Sequence, residues 1–504
     1  MLKINILVNY ISQIYIAAIG IILLPFYIKY MGSEAYGLIG FFSILQAWFN
    51  VLDLGLTPTI SRETARYKGN ALSSLSFRRL LRALTIIFIL IAIIGSIGLL
   101  SQSENIALHW LKIEELPIKD VIYSIQIMSI CVALRWVGGL YRGIISGSEK
   151  IVTLSIINII ISTLRFVAVI PVMYYYGFKP TTFFSFQLIV AIIEFIILLS
   201  FSLKEIPFKG IAFREIGFSF KPIINILKFS LSIAFTSIIW ILITQVDKFI
   251  LSGILSLSEY GYFSLAVLVA SGVLIVSGPV STVIMPRMAR LNAENKNAEV
   301  IQIYKKATRI ISVIAGSATI TIAFFPNLLL YAWTGDATVT DKTSNILQLY
   351  TIGNGMLVLS SFPYYLQYAK GNLRYHIIGN IVMATILIPT IIVISINYGS
   401  TGAGYTWLGV NILFLFLWVH FVHEKIAPNI HRDWFFRDII YILVPMIIVS
   451  SCIKFFILDD DHYSRLNSFL LIVFVGLINL SCAILSSTNR STLFSILVKS
   501  KKLI

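Results

Sequence analysis

The chain has 504 residues, of which 58% are hydrophobic and only 12% charged, with a mean hydropathy of +0.88. Soluble domains carry roughly 45–50% apolar and about 25% charged residues, so a water-soluble enzyme is excluded and a polytopic membrane protein remains. Its 39 Lys+Arg against 23 Asp+Glu leave a formal charge of +16; in so apolar a chain that surplus is a question of membrane sidedness, and no nucleic-acid partner is expected.

A helix needs about 20 apolar residues to cross the hydrocarbon core. In chain order such runs lie at 5–30, 36–57, 82–101, 120–145, 152–176, 182–203, 223–250, 259–284, 307–332, 344–369, 376–397, 402–422, 439–457 and 467–487, fourteen in all. The first is too long and too studded with polar residues for a signal-peptide core and reads as a span. Cys131, Cys452 and Cys482 lie within apolar runs and form neither a ligand spacing nor a disulfide framework.

The loops between these runs are short. The longest outer one, 102–119, has about 18 residues and the inner ones no more than about 25, too few for a catalytic domain. No GxxxxGK[ST] phosphate loop is present, so a built-in ATPase is not expected; with loops this short neither an enzyme activity nor a cofactor is expected. Assigning alternate loops to alternate sides puts 26 basic residues on one side, including Arg62, Arg66, Arg78, Arg79, Arg287 and Arg290. The other side holds seven, Lys29, Lys112, Lys119, Lys179, Lys248, Lys342 and Arg465, with the acidic stretch Asp459-Asp460-Asp461. The positive-inside bias then predicts that both termini face the cytoplasm.

A gapless offset of 224 residues superimposes Tyr36-Gly37 on Tyr260-Gly261 and Ala65-Arg66 on Ala289-Arg290. It also superimposes Tyr141 on Tyr365, Gly147 on Gly371 and Lys150 on Arg374. The matches are polar, aromatic or glycine and fall at equivalent points of the topology. They predict an all-α plan: a six-helix bundle over 1–222, a second over 223–438, and a two-helix hairpin with a cytoplasmic tail over 439–504. An even number of spans per bundle relates the two by a pseudo-two-fold axis along the membrane normal, as in transporters that hold substrate between halves.

The stretch Leu24-Pro25-Phe26-Tyr27-Ile28-Lys29-Tyr30-Met31-Gly32-Ser33-Glu34-Ala35-Tyr36-Gly37-Leu38-Ile39-Gly40 is followed by Gln46-Ala47-Trp48. Then come Leu52-Asp53-Leu54-Gly55-Leu56-Thr57-Pro58 and Ser61-Arg62-Glu63. Over about residues 20–68 this resembles the first hairpin of Wzx-type O-antigen flippases, in the multidrug/oligosaccharidyl-lipid/polysaccharide (MOP) exporter superfamily. The resemblance implies a bacterial inner-membrane flippase that moves an undecaprenyl-pyrophosphate-linked oligosaccharide from the cytoplasmic to the periplasmic leaflet. It also implies alternating access driven by an ion gradient, H+ or Na+, rather than by ATP. Membrane lipids, a polysaccharide polymerase and chain-length proteins are the further partners it suggests.

Such a cargo needs cations for its diphosphate and a wet cavity for its sugars. Asn5, Asn9 and Gln13 share one face of the first span; Ser43, Gln46, Asn50 and Asp53 share one face of the second; Lys228, Ser232 and Thr236 share one face of the seventh. Each stripe faces either a cavity or a neighbouring helix to which it hydrogen-bonds. Deeper charges are more telling, since each costs at least about 2.5–3.5 kcal/mol at a helix centre. Arg165 and Glu194 sit about 14 residues from the turn at Lys179-Pro180, so adjacent antiparallel helices bring them level. They read either as a structural ion pair or as a diphosphate-binding arginine with an ion-coupling carboxylate. Arg135 has no acidic neighbour in sequence and is the leading diphosphate candidate, through its bidentate fork.

Lys454, Arg142 and Arg309 lie near helix ends and are discounted as snorkelling side chains. Asp53 has Arg62 as a candidate partner, and Asp247 and Lys248 read as outer-loop surface. Pro25, Pro171, Pro389 and Pro445 predict kinks. His109, His376, His420, His423, His431 and His462 are dispersed, and no metal site is expected. Two other functions fit less well. A multidrug antiporter typically stops at twelve spans and lines its cavity with acidic groups; a membrane-embedded polymerase or ligase carries a large outer loop.

Overall fold

The computed structural model describes residues 2–207, 216–217, 221–457 and 463–487. Among these the fold is helical, and the β pairing present is an isolated bridge between Lys112 and Ser256. The chain divides into two compact units, Met1–Gly261 and Tyr262–Ile504.

In the first unit the helices are α1 (Leu2–Ile22), α2 (Leu24–Met31), α3 (Ser33–Val51), α4 (Leu56–Lys68) and α5 (Ser74–Ser101). They continue with α6 (Ile118–Gly147), α7 (Ile151–Thr163), α8 (Val169–Tyr176), α9 (Pro180–Leu203) and α10 (Lys221–Ile254). The centre is α6, which packs against α3, α4, α5 and α9.

Next in the chain is α11 (Leu257–Ala293), whose first turn still belongs to the first unit; the second unit continues with α12 (Asn297–Phe324), α13 (Pro326–Thr334), α14 (Ala337–Ser360) and α15 (Phe362–Ala369). It ends with α16 (Arg374–Leu413), α17 (Val419–Ile426), α18 (Ile430–Phe435), α19 (Tyr441–Ile457) and α20 (Arg465–Ser486). The last hairpin is fastened by a buried polar chain: Asn479 Nδ2 donates to Thr321 Oγ1 at 2.9 Å, and Ser450 Oγ donates to Asn479 Oδ1 at 2.9 Å. Away from water such a chain is worth more than its parts in a solvated loop, because the alternative is an unpaired buried amide.

Among the described residues eleven helices are long and apolar enough to cross a membrane, or twelve with the bent pair α3–α4. The expected count of fourteen is not reached, for two reasons. Residues 374–426 count once by that criterion, although non-helical backbone at Gly399 (φ 57°, ψ −141°) divides them into two helices, where two spans are expected. The helix α14 is too polar to qualify, because its first half carries Thr340, Asp341, Ser344, Asn345 and Gln348.

Local chemistry explains the irregularities that matter. The chain turns by 57° between α3 and α4. At that corner Gly55 takes φ 70°, while the Asp53 carboxylate accepts from Thr57 N and, at 2.6 Å, from Thr57 Oγ1. A side-chain oxygen thus satisfies a free N–H of the first turn of α4. Pro25 stands in the first turn of α2, just past the break at Leu23. Proline lacks the N–H for the carbonyl four residues back and clashes with it, and a wider turn relieves that conflict. Accordingly Pro171 follows a π-turn over Leu164–Ala168, and Pro445 follows one over Phe436–Ile440.

The 224-residue offset has a structural image. A Cβ on Gly37 would lie 2.1 Å from the Leu257 carbonyl oxygen, and one on Gly261 would lie 2.3 Å from that of Ser33. Ser33 and Leu257 are themselves 224 apart, so the contact between the opening turns of α3 and α11 is its own image under the repeat. Ser33 Oγ and Ser258 Oγ close it at 2.6 Å. Beside it the buried Glu34 carboxylate accepts from the backbone N–H groups of Glu114, Glu115 and Leu116 at 2.6, 2.9 and 2.7 Å.

Three readings of isolated charges are corrected. Asp247 is only 1% exposed, with Lys248 Nζ 3.2 Å from its carboxylate, because α10 runs on to Ile254 and no long surface loop follows. Arg309 pairs with the buried Asp438 rather than snorkelling. His420, His423 and His431 are gathered rather than dispersed: the Nδ1 atoms of His423 and His431 are 3.0 Å apart, and Tyr304 OH lies 2.6 Å from His423 Nε2. Among the described residues no group of His, Cys, Asp or Glu has the arrangement to hold a metal ion.

Candidate functional site

Pro171 sets the site in motion. The π-turn before it aims Arg165 toward α9 and leaves carbonyls for side chains to use: Gln187 Nε2 donates to Arg165 O at 2.9 Å, and Tyr27 OH donates to Phe166 O at 2.5 Å. Such wide turns are frequent at functional positions. From α9, Glu194 is buried at 3% exposure and receives Arg165 Nη2 on one carboxylate oxygen and Arg142 Nη2 on the other.

Arg135 joins the same cluster. Its Nε is 4.0 Å from Glu194 Oε2, its Nη1 donates to Gln46 Oε1 at 2.9 Å, and its Nη2 donates to Gln187 Oε1 at 2.9 Å. The guanidinium also lies over the Phe42 ring, 5.0 Å from its centroid. Arg142 Nη1 donates in addition to Asn158 Oδ1. Three guanidinium groups therefore share one buried carboxylate, leaving two positive charges in excess between these helices. The Nε atoms of Arg135 and Arg165 are buried and have no hydrogen-bond partner. Planar forks with unused donors have the chemistry to meet the oxygens of a phosphate or diphosphate.

The expected level pairing of Arg165 with Glu194 is present. Arg135 is not unpaired, because its acidic partner comes from a helix 59 positions further on. Arg142, discounted as a snorkelling side chain, is a full member of the site, and Gln187 and Asn158 were not singled out. A signal for all three is in the sequence. Arg135 and Arg142, Asn158 and Arg165, Gln187 and Glu194 are each seven residues apart, two turns along one helical face, on three successive spans.

The remaining candidates are not brought to this cluster. Gln13 and Asn50 are exposed and Asn9 is half-buried, while α1 meets α7 through Ser12 Oγ to Ser155 O at 3.2 Å and Tyr15 OH to Thr163 Oγ1 at 2.7 Å. Asp53 serves the α3–α4 corner, and Thr236 is half-buried on α10. The side chains of Asn5, Lys228 and Ser232 lie outside the described residues.

A family model described as "Polysaccharide biosynthesis protein" matches residues 2–292, more than half of the chain and all of this cluster. The chain belongs to that family. A Shigella flexneri protein that carries the name "Putative O-antigen transporter" is 21% identical over 388 residues, 76% of this chain and 88% of its own length. Among solved structures, the lipid II flippase MurJ in an inward closed conformation matches with a TM-score of 0.72 at 18% identity, covering 96% of this chain and 99% of its own. A multidrug resistance MATE family transporter of the MOP superfamily, inward-facing, matches with a TM-score of 0.67 at 13% identity, over 82% of this chain and 94% of its own. This family member therefore has the fold of those transporters and is a multi-pass membrane protein of polysaccharide biosynthesis.

Proposed function

We propose that this protein is a flippase that carries an undecaprenyl-pyrophosphate-linked oligosaccharide from the cytoplasmic to the periplasmic leaflet of a bacterial inner membrane. The observation that carries the proposal is the cluster of part-buried Arg135, Arg142 and Arg165, held around the buried Glu194 with positive charge in excess. In the absence of cargo Glu194 is the internal counter-anion of the arginines. An arriving diphosphate displaces it, and the arginines exchange one carboxylate for several phosphate oxygens. The freed Glu194 is then available to H+ or Na+, which couples cargo entry to an ion gradient and supports transport by alternating access. The excess of basic residues on one set of loops supports cytoplasmic termini.

The direct test is export. Loss of one charged hydrogen bond costs about 1.5–3 kcal/mol, so Arg135→Ala is expected to lower surface glycan about tenfold or more at unchanged protein level. Lipid-linked units should then accumulate on the cytoplasmic leaflet. Full export by Arg135→Ala sinks the diphosphate role.

A further inference from the structure

The second unit contains a cleft of about 910 Å³ that the arginine cluster does not explain. Small-molecule sites typically enclose about 300–1,000 Å³. Its walls are the first turns of α13, α14 and α20 and the end of α19. Thr340, Asp341, Ser344, Asn345 and Gln348 recur at steps of one and three, which puts them on one face of α14, facing the cleft. This is the face that makes α14 too polar to count as an apolar span.

The walls are fixed in advance. Gln348 Nε2 is tied to the Ala323 carbonyl at 2.8 Å, and Asp336 and Ser464 cap α14 and α20. Arg465 clamps α20 to α13 by donating to the carbonyls of Ala332 and Trp333 at 3.1 and 2.8 Å. Ser468 lines the cleft, is completely buried, and its hydroxyl has no hydrogen-bond partner. A buried polar group without a partner costs about 1–3 kcal/mol, which a ligand hydroxyl would recover.

The lining chemistry selects the ligand class. Among the described residues of the lining, amides and hydroxyls dominate, with one carboxylate, one ammonium and the rings of Tyr331 and Tyr463. Unlike the arginine cluster, this lining makes no demand for phosphate. Polar groups fixed beside aromatic faces match a sugar, which is hydroxyl-rich at its edges and apolar on its C–H faces. We propose that this cleft is a saccharide-binding site, occupied by the sugar portion of the exported glycan; the identity of that glycan, though not the chemical class, rests on the flippase reading.

The test uses the full-length protein in lipid nanodiscs. The probe is a phosphate-free oligosaccharide released by mild acid from the host's own surface polysaccharide, with binding read by calorimetry. Wild type is expected to bind. Ser344→Trp, which fills the cleft, and Asn345→Ala, which removes one exposed amide, are expected to weaken binding at least tenfold and several-fold respectively. Absence of binding by wild type, or wild-type affinity in both variants, overturns the proposal. Retained, cleft-dependent saccharide binding in a protein whose deletion leaves glycan export intact supports the site and overturns the flippase reading instead.

Discussion

At the scale of residues, the protein turns on how one carboxylate is shared. Glu194 meets Arg165 and Arg142 directly and Arg135 at 4.0 Å. Removing the partner of a buried charge is strongly destabilising, by about 3–5 kcal/mol, because the charges left behind are uncompensated. Glu194→Ala should therefore lower the melting temperature sharply, while Glu194→Asp keeps the charge and most of the stability. A charge swap follows a different course from that of an isolated pair. In the Arg165→Glu/Glu194→Arg double variant, the new arginine faces Arg135 and Arg142 across the site. Export is therefore expected to stay low in both single variants and in the double. Recovery in the double variant, measured as surface glycan, would show that Arg135 and Arg142 are not coupled to Glu194.

At the scale of elements, short breaks in helices do the positioning. The Pro171 π-turn presents Arg165, and the Asp53–Gly55 corner turns α4 so that it packs on α6. The reciprocal contact of Gly37 with Leu257 and Gly261 with Ser33 leaves no room for a side chain. Overpacking a close contact typically costs about 1–3 kcal/mol. Gly37→Val and Gly261→Val are expected to lower thermal stability in detergent by similar amounts, since each meets the image of the other's neighbour. A large loss at one position and none at the other would break that equivalence. The spacing of Tyr-Gly pairs was legible in the sequence; the backbone approach that requires glycine was not, because the touching carbonyls are more than 200 residues away.

At the scale of the whole molecule, charge asymmetry bears on how the chain is oriented in the membrane. The loop charges make a prediction about sidedness. In a variant without Cys131, Cys452 and Cys482, a cysteine at Ser73 should react with a membrane-impermeant thiol reagent only after the inner membrane is opened. A cysteine at Gln102 should react in cells whose outer membrane alone is permeable. The reverse labelling pattern would place the termini outside.

Composition and periodicity by themselves determined the class of protein, most of its spans, and that Arg165 and Glu194 stand level on neighbouring helices. All of these follow from local quantities: hydropathy summed along a helix, loop charge, and distance from a helix end. Tertiary structure alone decided the partners. Depth says what a charge costs, but not what lies across from it; thus Arg142 and Arg309 looked alike until Glu194 and Asp438 stood beside them. The same holds for α14, whose polarity is a defect in a single span and becomes one wall of a cleft only when α13, α19 and α20 enclose it.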